Sequence, residues 1–148
     1  MLDPDFLDES IQFHQEQTQW EFEAPLDVKA WIAQSIQQEQ REMQEINFIF
    51  CSDEYLHEMN VQYLQHDDYT DVITFPYDEE RVYGDVFISI DRVRENAQQY
   101  GVSPQHELLR VMIHGTLHLM GYEDTTPELK KAMSAKEDFY LQQFLKTP

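Results

Sequence analysis

Apolar and polar residues alternate one by one in SIQFHQEQTQWEFEA, where Ile11 and Phe13, then Trp20 and Phe22, predict one or two short strands. The period then lengthens. In PLDVKAWIAQSIQQEQREM, Leu26, Ala30 and Ala33 form one helical row and Val28, Ile32 and Ile36 another. INFIFCS, Ile46 to Ser52, is short, apolar and rich in strand formers, and Ser52 ahead of Asp53 and Glu54 has the form of a helix N-cap with acids in the first turn. The helix it opens is expected to bury Leu56, Met59 and Tyr63. QHDDYTD reads as a polar loop, and VITFPY and VYGDVFISI as the strands of a hairpin joined by DEER.

Helices are predicted for the remainder. DRVRENAQQYG is a short helix closed by Gly101, and Ser103 caps the next one with Pro104 at its first position. That helix should run from Pro104 to about Met120, with Gly121 as a left-handed stop. A last helix starts at TTPE, either through a Thr125–Glu128 capping box or with Thr126 as cap and Pro127 at the first position. Leu129, Ala132, Met133, Tyr140 and Phe144 are its expected packing residues. Strands mixed with mostly late helices predict an α+β fold, a small mixed sheet with helices packed over it. No repeat, low-complexity tract or linker divides residues 1–148, so one domain is expected.

Composition constrains the partners. The 148 residues are enough for a self-supporting core, and 41% apolar with 13% aromatic residues predicts a folded chain. The net charge is −19, ten basic against 29 acidic residues, so a polyanion meets a repulsive mean field. A nucleic-acid role then needs a metal ion or a basic partner. The single Cys51 cannot form an internal disulfide, which fits a reducing compartment and makes the cytoplasm the expected location. MLDPDFLDES lacks the basic and apolar regions of a secretory signal, and no apolar run approaches the roughly 18 residues of a membrane span.

The candidate chemistry lies in HGTLHLMGYED, His114 to Asp124. Residues four apart on a helix have Cβ atoms about 5–6 Å from each other, so His114 and His118 can aim ring nitrogens at one metal ion roughly 2.0–2.1 Å away. Taken alone, such a pair is more often a pair of core or cap histidines. The full spacing H-x3-H-x2-G-x2-D is more specific, because Gly121 can end the helix and return Asp124 to the metal, the layout of metzincin-type zinc sites. Leu108, Leu109, Val111, Met112, Ile113 and Leu117 would also make unpartnered imidazoles costly. Gly115 costs a helix interior about 0.8–1.0 kcal/mol relative to alanine. Either room beside the metal or close helix-to-strand packing accounts for it. Zincin proteases carry a glutamate at that position as general base, so its absence counts against peptide hydrolysis by that route. Glu123 is the alternative carboxylate to Asp124, which keeps the recognised spacing. A set of two histidines and an aspartate leaves Zn²⁺ with one net positive charge, so harder divalent ions become more competitive, with zinc still expected. Three protein ligands would leave the fourth position open, and no protein general base is identified.

The other candidates are weaker. Asp67, Asp68 and Asp71 read as a solvated loop rather than a second metal site. Asp85 reads as a turn or strand-edge aspartate, with orientation of a ligand imidazole as its alternative role. His14, His57, His66 and His106 show no convergent spacing, and Cys51 reads as buried filler rather than a nucleophile.

HGTLHLMGYED resembles the signature HGxLHLxGYDH of the YbeY family of bacterial endoribonucleases, the rRNA maturation factors. TDVITFP, Thr70 to Pro76, is similar to the family's TDVLSFP, and YGDVFIS to its LGDI strand, so the likeness spans residues 46 to 124. The resemblance implies a single α+β domain and a zinc-dependent, single-strand-directed endoribonuclease acting in maturation of small-subunit (16S) rRNA and ribosome biogenesis. His114 and His118 would be the first two ligands; the third position is histidine in the common pattern and Asp124 here. Leu64, in NVQYLQHDDYTD, stands where the common pattern carries an arginine. The implied partners are rRNA and the small ribosomal subunit, helped by basic proteins, with neither DNA nor a membrane. The rival readings are a zincin-like metallopeptidase and a non-catalytic ribosome-assembly module with a structural metal.

Overall fold

Strand formation follows the β-branched and aromatic runs, and each helix begins where a cap or a proline allows it. The computed structural model of the protein describes residues 3–65 and 69–146. Its elements are α1 (Pro4–Ser10), β1 (Ile11–Glu16), α2 (Pro25–Gln38), β2 (Glu42–Cys51), α3 (Asp53–Leu64), β3 (Val72–Pro76), β4 (Arg81–Ser89), α4 (Ile90–Tyr100), α5 (Pro104–Leu119) and α6 (Pro127–Lys146). The sheet runs β1-β2-β4-β3, with β1, β2 and β4 parallel and β3 antiparallel at the edge. This is the expected α+β class with a mixed sheet.

The sheet's two faces are covered unequally. Ile46, Phe48 and Phe50 of β2 and Val82, Val86 and Ile88 of β4 enter the main core with Val28, Ile32 and Ile36 of α2, the apolar side of α5, and Met133, Tyr140 and Leu141 of α6. Cys51, Leu56 and Ile73 form a smaller cluster beneath α3, flanked by Met59, Phe75 and Phe87. Gly115 is buried where α5 crosses β4, and a Cβ there would meet a methyl of Val86 at 2.6 Å. Close packing therefore accounts for this glycine, and α5 lies against the strand at a distance no side chain would permit.

Several expectations need correction. Only the first candidate strand forms. Trp20 and Phe22 belong to an irregular segment and fold back on β1 as an aromatic cluster, with Phe13 and Phe22 centroids 4.7 Å apart. β2 begins at Glu42 rather than Ile46, because its polar first half finds a ladder partner in β4 from Arg81 onward. Helix α1 was not predicted; Asp3 caps it and Leu7 alone anchors its apolar side. Tyr63, Leu26 and Leu129 are exposed, and Ala132 also faces outward. Thr126 is the cap of α6, accepting from the Leu129 amide at 3.1 Å, which settles the choice against the Thr125 box.

Candidate metal centre

Ser103 starts α5 by accepting the His106 amide at 3.0 Å, and Pro104 occupies the first turn. The helix stops in a Schellman turn: the Gly121 amide donates to the His118 carbonyl at 2.9 Å, and the Tyr122 amide to the Leu117 carbonyl at 3.2 Å. Gly121 takes φ +96°, which a side chain would resist. The reversal carries Asp124 back to the two histidines.

The three side chains converge. His114 Nε2 and His118 Nε2 are 3.0 Å apart, and Asp124 Oδ2 lies 3.5 Å from each. Those edges are close to the roughly 3.3 Å expected between donors arranged tetrahedrally about 2.0–2.1 Å from a common ion. The opposite ring nitrogens say more. His118 Nδ1 faces the Tyr122 carbonyl at 2.9 Å, a group that only accepts, so that nitrogen carries the proton. His114 Nδ1 is 2.6 Å from the buried carboxylate of Glu137, which assigns its proton in the same way. In the neutral rings both Nε2 atoms are then left with lone pairs directed at each other and at a carboxylate oxygen, an arrangement that a bound cation satisfies. His114, His118 and Asp124 fit a divalent metal, and among the described residues they are the one group with this geometry. Burial disfavours charge on His114, but the hydrogen bond and charge of Glu137, with Asp124 and Asp71 behind them, outweigh it and hold its pKa above the ordinary value.

Distant elements secure this geometry. Glu137, from α6, also accepts from Arg110 at 3.3 Å. The loop after α2 grips the Gly121 turn from two sides: Arg41 donates to the Met120 carbonyl at 2.7 Å, while Glu39 accepts from the Tyr122 hydroxyl, the Tyr140 hydroxyl and, at 3.1 Å, Lys136. Glu137, Arg41 and Glu39 were not visible in the local pattern around the histidines, because they lie 23, 79 and 83 residues from the groups they bond and meet them only through packing. The site opens on two cavities. One of about 530 Å³ is bordered by Leu64, Thr70 to Thr74 and Asp124; the other, about 770 Å³, lies among α4, α5 and α6.

The remaining candidates are scattered. Asp71 is half-buried between both cavities, and burial raises its pKa, so it is a wall of the site and not a solvated loop residue; Asp67, Asp68 and His66 lie outside the described residues. Asp85 accepts from the Tyr77 hydroxyl at 2.7 Å and from Asn47 at 3.2 Å, a strand pairing with no imidazole of the site. Glu123 is exposed. His14 bonds Asn47 and His57 stacks on Tyr69, whereas His106 borders the larger cavity. Cys51 is buried and its thiol pKa is pushed by burial up to about 12, as filler requires.

Comparison with known proteins places the chain among relatives of one name. The family model described as Endoribonuclease YbeY matches residues 10–145. The chain is 46% identical over 133 residues to a protein named Endoribonuclease YbeY from Cytophaga hutchinsonii, covering 88% of this chain and 93% of the relative. It is 54% identical over 95 residues to the protein of that name from Phocaeicola vulgatus, covering 64% and 69%. A Thermotoga maritima protein of known solution structure is similar in fold, with a TM-score of 0.67 and 30% identity over 90% of this chain and 89% of its own.

Proposed function

Because the chain belongs to the YbeY family of endoribonucleases, we propose that it is a zinc-dependent enzyme that cuts single-stranded RNA during maturation of small-subunit (16S) rRNA, with residues 1–148 acting as one catalytic domain. The observation that carries this reading is the convergence of two imidazole lone pairs and one carboxylate oxygen at a single point. Zinc bound by these residues would supply Lewis acidity toward a phosphodiester and acidify a water for attack near neutral pH.

The chain's own residues do the rest. His114, His118 and Asp124 would hold the ion, and His114 and Asp124 border both cavities. Glu137 and the Tyr122 carbonyl fix the tautomer and tilt of the rings, so ligand geometry does not have to be found at each turnover. Side chains at the site are only 21–34% exposed, a recess that a flexible single strand enters more readily than a rigid duplex. Gly115 places no carboxylate beside the first histidine, which separates this site from the zincin peptidases. The net charge of −19 works against free RNA, so the reading includes basic help from the ribosomal subunit or a protein bound to it, in the cytoplasm. No helix among the described residues is long and apolar enough to cross a membrane.

Elemental analysis joined to an end-labelled RNA assay tests the reading. Native protein should carry about one zinc per chain and cut an unstructured oligonucleotide. His118→Ala should lose both the metal and at least about a hundredfold of the activity. A zinc-loaded native chain that leaves single-stranded RNA intact would overturn the proposal.

A further inference from the structure

The larger cavity contains a group that the metal chemistry does not use. Glu107 stands on α5 two helical turns before His114 and lines the same cavity. It is 4% exposed, yet its carboxyl accepts no hydrogen bond among the described residues. Arg110, whose charge acts on it, is engaged elsewhere, at 3.3 Å from Glu137 and 2.8 Å from Asp138. Burial raises the pKa of Glu107 to about 7, with Asp71 and Glu137 adding to the shift and Arg110 opposing it. Its carboxyl is reached from the cavity it lines and takes no donor from the described side chains around it, so it is an acceptor open to a ligand's donor.

The chemistry of the wall selects the donor. Asp71 and Glu137 make this wall acidic, with Arg110 tied to Glu137 and Asp138 and Lys130 the other cation on the lining, so a neutral base with a donor fits beside Glu107 better than a phosphate. Val102, Val111 and Tyr100 offer a ring an apolar surface. We propose that this cavity is a base-recognition subsite, in which Glu107 accepts a hydrogen bond from the exocyclic amine of a base beside the scissile phosphate. Adenine, cytosine and guanine each present an exocyclic amine, and uracil has none. The O2 and O4 of uracil flank its single N3–H, so it binds the carboxylate form more weakly. The inference rests on the endoribonuclease reading for its substrate and on the cavity for its chemistry.

The test is nucleoside binding to the zinc-loaded full chain, followed by amide resonances. Cytidine and adenosine should perturb Asn96 and Ser134 and bind about tenfold more tightly than uridine, the discrimination expected of one good hydrogen bond to a base edge. Glu107→Gln, whose amide both donates and accepts, should bring the three nucleosides within about twofold, and Glu107→Ala should do the same by removing the acceptor. Uridine binding the native chain as well as cytidine, or discrimination surviving in both variants, would overturn the subsite. Discrimination by a zinc-loaded chain that cuts no RNA would retain the base site and sink the ribonuclease reading. Cleavage without discrimination would do the reverse.

Discussion

Leu64 shows how one side chain sets the electrostatics of the site. It ends α3 and borders the 530 Å³ cavity that the two histidines and Asp124 also line, and among the described residues no lysine or arginine lines that cavity. The sequence resemblance implies an arginine at this position, where this chain has an uncharged side chain. Leu64 is 41% exposed, which leaves room for a longer side chain. Leu64→Arg should therefore tighten binding of single-stranded RNA and steepen its dependence on salt by about 0.7 in log K against log concentration, the contribution of one added phosphate contact. Fluorescence anisotropy over a salt series measures it, and an unchanged slope would show that RNA does not pass this wall. Asp124 acts at the same scale: in place of the histidine of the common pattern it adds a negative charge to an already acidic recess.

Among the elements, α5 carries the ligands, while α2 and α6 determine whether they stay aligned. Glu39 links the two through Tyr122, Tyr140 and Lys136. Burial would raise its pKa, but those three partners outweigh burial and hold it below the ordinary 4.5. A lowered folded pKa means that the stabilisation is present above the unfolded value and is lost as pH falls through the folded one. Glu39→Gln should cost about 2–3 kcal/mol at pH 7, where charged hydrogen bonds are lost, and the difference from native protein should shrink progressively as pH falls below the ordinary carboxylate range and through the lowered folded value. Urea titrations at several pH values check this; a cost that persists in acid would point to packing instead of charge. The same element explains what the sequence could and could not reveal. His114, His118, Gly121 and Asp124 were legible because helix periodicity and helix termination are local. So were the Ser52 and Ser103 caps. Glu137, Glu39, Arg41 and Asp71 were not, since a carboxylate on α6 or a guanidinium after α2 has no local signal; only the closing of the core brings it to the turn. The aromatic alternation at Trp20 and Phe22 misled for a related reason: those rings are held by contact with Phe13 and Phe50 and have no strand to pair with.

On the scale of the whole molecule, the proposed ion would join α5, the turn after it and, through Glu137, α6, contacts that exist only in the folded chain. Zinc should then stabilise by mass action, by about 2.7 kcal/mol at a hundred times its dissociation constant. For a chain of this length that is roughly a 5–10 °C rise in melting temperature. Calorimetry with and without a chelator should show the fall, and Asp124→Ala should abolish the difference; native protein indifferent to chelation would argue against a bound ion. The order of α5 and α6 along the chain adds a consequence in time. During synthesis the histidine pair leaves the exit tunnel before Glu137 does, and until α6 has folded back nothing fixes which nitrogen of His114 bears the proton. A half-made molecule, held next to the translation machinery's own RNA, thus has its blade unsharpened until its final helix docks.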